Sequence, residues 1–180
     1  MKTYTWKEAF EDAYAAAKAG SLRSQNFVGY CYDIGRGVKH DPKMAAHWYK
    51  KAAENGSTEG MFNFALLSET GVGTTRNATR AVRLYIQAAT KGHLQAQSNL
   101  AIRYLEGRGV KRNLEEGIRW LRKAAKRGDD KAQFNLGQAY LDGEGVAKSS
   151  SRAKTWLTKA AKNNHTKARL LLKKLEKATV

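Results

Sequence analysis

An all-helical solenoid of antiparallel helix pairs is the fold this sequence predicts, and three observations predict it. The chain returns to the same residues every 36 positions. Each unit holds two stretches of helical apolar spacing joined by a Gly-x-Gly turn. Each unit closes on an Ala-Ala pair followed three positions later by glycine or asparagine. A period in this range marks stacked supersecondary units rather than one closed core.

The period is visible at several independent slots with no insertion or deletion. Gly35, Gly71, Gly107 and Gly143 align, as do Gly37, Gly73, Gly109 and Gly145. Ala52-Ala53 recurs as Ala88-Ala89, Ala124-Ala125 and Ala160-Ala161, and upstream as Ala16-Ala17. Trp48, Leu84, Trp120 and Trp156 share a slot. The expected layout is a half-repeat helix at 5–20, repeats at 21–56, 57–92, 93–128 and 129–164, and a capping helix at 165–177, about ten helices in one domain.

Helix limits follow from local chemistry. In the third repeat the first helix should run from about Leu94 to Glu106 and the second from about Asn113 to Arg127. Asp41, Asn77, Asn113 and Ser149 open the second helices, and each side chain can accept a first-turn amide. Pro42 sits at a first helical position, where a missing N–H is harmless. Gly20, Gly56, Gly92 and Gly128 should take the left-handed conformation that ends a helix, and Asn164 substitutes for them in the last repeat.

Packing is expected at slots of contrasting size. Gly29, Ala65, Ala101 and Gly137 let helix axes approach, while Val28, Phe64, Leu100 and Leu136 fill the space between. The tyrosine slot of Tyr32, Tyr104 and Tyr140 adds to this core. At the ends the pattern turns polar: Asp12 stands in the tryptophan slot, Lys173 in the glycine slot and Glu176 in the tyrosine slot. Both ends therefore look like caps, and the array is expected to be complete.

The formal charge is +17, unevenly spread. Residues 1–59 carry nine Lys/Arg against seven Asp/Glu, whereas 60–180 carry 24 against nine. Such a field favours a negatively charged partner. No apolar run approaches the roughly 20 residues of a membrane span, and Met1–Trp6 lacks the apolar segment of a secretory leader. A cytoplasmic protein is the expectation as the sequence stands, or an exported or periplasmic one if a signal has been removed.

Chemistry is poorly represented. Cys31 is the only cysteine, and the four histidines fall at unrelated slots, so Cys31 reads as a core or groove-lining thiol. There is no G-x-x-x-x-G-K-[ST], no Gly-x-Ser-x-Gly and no paired metal-ligand cluster. Neither an enzyme nor a cofactor nor a metal is expected.

The unit Ala132-Gln-Phe-Asn-Leu-Gly-Gln-Ala-Tyr-Leu-Asp-Gly-Glu-Gly-Val146, followed by Ala153, Trp156 and Lys159-Ala-Ala161, resembles the Sel-one-like repeat (SLR) family, a branch of the tetratricopeptide-like superfamily. The resemblance covers about residues 5–177. The second repeat departs most, with Ser68, Thr74 and Leu84 in place of tyrosine, valine and tryptophan. It implies a right-handed superhelix and an adaptor role, with proteins or peptides held in a groove lined by first helices. It further suggests, without any residue selecting it, a bacterial effector or immunity-type pairing. Members with a disulfide in each repeat are excluded by the missing cysteines.

On that resemblance the groove candidates are Arg23, Asn26, Phe27 and Tyr30 in the first repeat. Glu59, Phe62, Asn63 and Leu66 follow in the second, then Ser98, Asn99, Ile102 and Arg103, then Lys131, Phe134, Asn135 and Gln138. Asn63, Asn99 and Asn135 share one slot; an amide there can grip a peptide backbone or bond within the scaffold. In related tetratricopeptide proteins the matching asparagine joins basic residues on a terminal carboxylate, a task open here to Arg103 and Lys131. The aromatic rings are either apolar anchors or inter-repeat packing. The expected partner is another protein or peptide of acidic character, with no small-molecule substrate.

The alternative is an electrostatic binder of nucleic acid or another anionic surface. It would use basic columns on the outer, second-helix face: Arg83, Arg119, Arg122, Lys123, Lys126, Arg127, Lys159 and Lys162. The aromatics that such a site would stack on bases fall mostly in core slots, which favours the first reading.

Overall fold

The computed structural model describes residues 5–177, so the opening residues Met1–Tyr4 lie outside it. Among the described residues there are ten α-helices and no strand. They are α1 (Trp6–Lys18), α2 (Leu22–Ile34), α3 (Pro42–Glu54), α4 (Thr58–Thr70), α5 (Ala78–Thr90), α6 (Leu94–Glu106), α7 (Leu114–Lys126), α8 (Asp130–Asp142), α9 (Ser150–Lys162) and α10 (Thr166–Lys177). The chain divides into two compact units: one up to His93 with α1–α5, the other from Leu94 with α6–α10. Within each unit every helix packs on its neighbours in sequence. Among the described residues no helix is long and apolar enough to cross a membrane.

The cap chemistry acts as the residue types dictate. Asp41 accepts from the Lys43 and Met44 amides, Asn77 from Arg80, Asn113 from Glu116 and Ser149 from Arg152. First helices use Ser21, Ser57 and Asp129 in the same way. After the second helices the backbone turns left-handed at Gly20, Gly56, Gly92 and Gly128, and at Asn164 with φ 65°.

The two glycines of each Gly-x-Gly turn have separate reasons. The first ends its helix in the left-handed conformation, with the Gly35, Gly71 and Gly143 amides returned to Cys31, Leu67 and Ala139. The second also has positive φ, and Gly37, Gly73 and Gly145 lie hard against the start of the preceding second helix or half-repeat helix. A Cβ on Gly37 would collide with the Trp6 carbonyl of α1, and one on Gly73 with the Pro42 carbonyl of α3. The turn is therefore the latch between successive hairpins.

Helix packing depends on missing side-chain volume. A Cβ on Gly60 of α4 would stand 2.6 Å from the Ala52 Cβ and 2.8 Å from the Ala53 nitrogen. On Gly137 it would stand 2.8 Å from Leu157, and on Gly117 2.6 Å from Leu105. Around these contacts Val28, Ala17 and Trp48 form one cluster, and Tyr49, Phe64 and Leu67 another. In the second unit Leu157, Ala160 and Ala168 join Phe134 and Leu171.

A row of buried glutamines crosses these cores. Gln25 and Gln133 donate through Nε2 to Ala17 and Ala125, on the Ala-Ala turn before their own helix, at 3.2 and 3.0 Å. Their Oε1 atoms accept from Asn55 and Asn163, which end the following second helices, both at 3.1 Å. One side chain thus ties three consecutive helices together. Gln97 accepts from Arg127 at 3.1 Å in the matching arrangement. In the second repeat Met61 replaces the glutamine, and Lys91 reaches instead to the Gly56 carbonyl at 3.3 Å.

The departures of the second repeat are mutually compensated. With tyrosine replaced by the buried Ser68, Arg80 of α5 enters the vacated space. Its guanidinium donates to Ser68 Oγ at 3.0 Å, Thr74 Oγ1 at 3.2 Å and the Thr75 carbonyl at 2.6 Å, and lies 5.1 Å from the Phe64 ring. One arginine accounts for two consensus departures.

The glutamine clasp gives a direct test. Gln133→Met keeps the volume, as Met61 shows at the same slot, and removes both hydrogen bonds. It should cost about 1 kcal/mol in urea unfolding. No change in midpoint would mean that the clasp is not stabilising.

Candidate protein-binding site

On each first helix one face is fixed by the core. In α2, Gln25, Val28, Gly29 and Cys31 are buried. Residues spaced i, i+4, i+7 and i+11 on the other side are Arg23, Phe27, Tyr30 and Ile34. Arg23 is exposed, Phe27 half-buried, Tyr30 39% exposed and Ile34 47% exposed. The Phe27 ring stacks on Trp6 of α1 at 6.2 Å and tilts against Tyr30 at 6.5 Å. The Arg36 guanidinium lies 3.9 Å over the Trp6 ring. The result is an aromatic ledge of Trp6, Phe27 and Tyr30, in which Trp6 and Tyr30 are exposed.

The same slots in α4 are Glu59, Asn63, Leu66 and Thr70, and in α8 Lys131, Asn135, Gln138 and Asp142. Only α2 combines two aromatic rings with isoleucine. The four backbones are helices of equal length on the same plan. The fold therefore does not require apolar groups at these slots.

The other candidates are distributed as follows. Asn26 and Asn63 bond to each other, Asn63 Nδ2 donating to Asn26 Oδ1 at 3.0 Å, so this pair ties α2 to α4. Asn99, Ile102, Asn135 and Gln138 are half-buried in the second unit, and Lys131 is exposed. Arg103 stands in the slot that Cys31, Leu67 and Ala139 fill as core; its side chain is only 15% exposed and meets Glu106 at 3.5 Å.

Phe62 and Phe134 each give one ring face to a histidine. Phe62 stacks on His93 at 4.6 Å, and His93 Nε2 lies 2.9 Å from Glu59 Oε2. Phe134 stacks on His165 at 4.5 Å. Ser98, expected on the open face, is instead buried and donates to Asp129 at 3.0 Å. These three residues share a slot, and its partner is the residue one position before the next first helix. A neighbouring repeat thus covers what a single helix would leave open.

The basic columns also have structural duties. Lys51, Lys123 and Lys159 lie over the rings of Trp48, Trp120 and Trp156 at 5.1, 5.0 and 4.6 Å. Their stems cover the tryptophan slot while the ammonium stays in water. Arg119 is held by Glu116 through Nε at 3.0 Å and Nη2 at 2.6 Å, and Arg127 by Gln97. Arg83, Arg122, Lys126 and Lys162 are exposed.

Cys31 is a core thiol, and burial pushes its pKa up against the opposing pull of Arg36. Burial and the facing Asp33 carboxylate likewise hold the Tyr49 phenol well above the usual tyrosine range. Neither group is poised as a nucleophile or base. Trp6, Ile34 and Arg36 were not among the sequence candidates. Trp6 carried a signal nonetheless: it fills the first helical position that Pro42, Ala78, Leu114 and Ser150 fill elsewhere.

The Sel1 repeat family model matches residues 22–57, 58–93, 94–129 and 130–165. The chain belongs to the Sel1 repeat family. Sel1 repeat proteins are protein-interaction adaptors. The fold is similar to a protective antigen of uropathogenic Escherichia coli that displays an SLR fold, at 35% identity and TM-score 0.85, covering 88% of this chain and 34% of that one. It is similar to a Sel1 repeat protein of Oxalobacter formigenes at 34% identity and TM-score 0.84, covering 94% and 49%. Among curated proteins, Chitin synthase regulatory factor 3 of Schizosaccharomyces pombe is 42% identical over 65 residues, 36% of this chain and 7% of that protein. The chain thus spans half or less of the length of these relatives.

The ring stacks predict a stability effect. Phe134→Ala should lower unfolding stability by about 2 kcal/mol through lost contact with His165 and the adjoining core. Calorimetry checks this, and an unchanged melting temperature would show the ring to be idle in the scaffold.

Proposed function

We propose that this protein is a non-enzymatic adaptor that holds a protein or peptide on its first-helix face, with the α2 ledge as the energetic centre. The observation that carries the reading is the exposed set Trp6, Tyr30 and Ile34, joined through the half-buried Phe27 ring. Aromatic side chains and arginine dominate contact energy in protein interfaces. Here both are present, and at the Phe27 and Ile34 slots the sister helices carry polar groups.

Leu66 of α4 extends the apolar strip beside α2, because α2 and α4 touch. Arg23 and Arg36 flank it with positive charge, which suits an apolar segment bordered by carboxylates. In the second unit Asn99, Ile102, Lys131, Asn135 and Gln138 stand on the corresponding side of α6 and α8, whereas Arg103 and Phe134 are taken up by the scaffold. No residue in the strip selects an effector or immunity pairing over another adaptor role.

Site-specific photocrosslinking tests the reading. A photoreactive phenylalanine analogue at Tyr30 should capture a discrete polypeptide in extract of the native host, and the same analogue at Gln87 of α5 should not. With that polypeptide purified, Tyr30→Ala should weaken binding about tenfold or more. Equal capture from both positions, or unchanged affinity in Tyr30→Ala, would remove the ledge from the interface.

A further inference from the structure

The repeats also serve as internal controls for the second helices, and α7 stands apart. Its exposed Arg119, Arg122, Lys123 and Lys126 line a hollow of about 520 Å³. Ile118 and the Gly145 turn complete the wall, and Glu115 is the one acidic residue on it. The same four slots hold a single Lys or Arg in α5 and two in α3 and α9. In α3 one of those two, Lys50, is paired with Glu54 at 3.6 Å. Four cations around one hollow are therefore not a demand of the fold.

The contacts of these cations point to a ligand. Arg119 is engaged by Glu116. Arg122 reaches the Tyr140 hydroxyl at 3.4 Å, and Lys123 rests over Trp120. Among the described residues no carboxylate pairs with Arg122, Lys123 or Lys126. These three lie on one side of the helix within about 6 Å of axial rise, which suits carboxylates clustered on a short segment.

The geometry disfavours nucleic acid. Trp120 is buried, and its ring is already met by Arg119 at 4.8 Å and Lys123 at 5.0 Å, leaving no face for a base. From Arg119 to Lys126 the row rises about 10 Å, the span of only a few backbone phosphates.

We propose that the α7 hollow docks an acidic peptide segment of a partner protein, through carboxylates set against Arg122, Lys123 and Lys126. The site lies in the second unit and does not depend on the α2 ledge.

The test uses a short fluorescein-labelled Asp/Glu-rich peptide and a short DNA duplex as probes. The hollow variant combines Arg122→Thr, Lys123→Gln and Lys126→Thr, side chains that the same fold carries at these slots as Thr158, Gln87 and Thr90. The control variant removes three exposed charges elsewhere, by Lys111→Gln, Lys148→Gln and Lys167→Gln. The hollow variant should lose peptide affinity about tenfold or more, and the control should stay within about twofold. In the unmodified protein the peptide should also shield Lys123 and Lys126 from acetylation more than Lys111 and Lys148, read by mass spectrometry. Equal losses in both variants, uniform shielding or no peptide binding would overturn the proposal. So would a hollow variant that loses the duplex and keeps the peptide, which would make the site one for nucleic acid.

Discussion

The structure depends on helices that approach each other at glycine and alanine so closely that one further methyl group does not fit. Gly60 against Ala52, Gly137 against Leu157, and Gly37, Gly73 and Gly145 against the helix before them are the contacts that set the hairpin spacing. Close approach buries the Ala-Ala pair and brings the glutamine clasp within hydrogen-bond reach of three helices. A solenoid has no central core, so stability is a sum of such neighbour contacts. The first-helix face then carries side chains that the scaffold does not need.

The division between scaffold and surface can be traced slot by slot. Where four sister helices share a backbone plan, a residue repeated at all of them serves the fold. A residue peculiar to one of them does not. By that criterion Tyr30 and Ile34 on α2 and Arg122 and Lys126 on α7 are not demanded by the fold, whereas Lys123 and Lys159 also shield tryptophan. Arg80 shows the limit of the criterion: its slot holds arginine only in the second and fourth repeats, yet it is structural, because it fills the space left by Ser68.

Most of the fold was legible in the sequence because the rules that shape it are local. N-caps such as Asn113, the left-handed Asn164 and the Gly-x-Gly turn act within a few residues of themselves. The site was legible only in part. Gln25, Gln97 and Gln133 look like surface residues in a string of letters, and their burial follows from groups some thirty positions away. From sequence Phe62 was open to two readings, anchor or inter-repeat packing, and the ring it stacks on, His93, lies 31 positions away. The ledge needed the half-repeat helix folded back so that Trp6 could reach Phe27. Sequence periodicity names the slots, but contacts between repeats decide which of them stay open.

Comparative urea unfolding of Gly60→Ala and Tyr30→Ala puts this division to the most direct test. Gly60→Ala adds one methyl and improves helix propensity, yet it should destabilise by about 2 kcal/mol because the methyl meets Ala52 and the Ala53 backbone. Tyr30→Ala removes a whole ring and should shift stability by less than about 1 kcal/mol. The reverse order, with the ring indispensable and the methyl tolerated, would contradict the account.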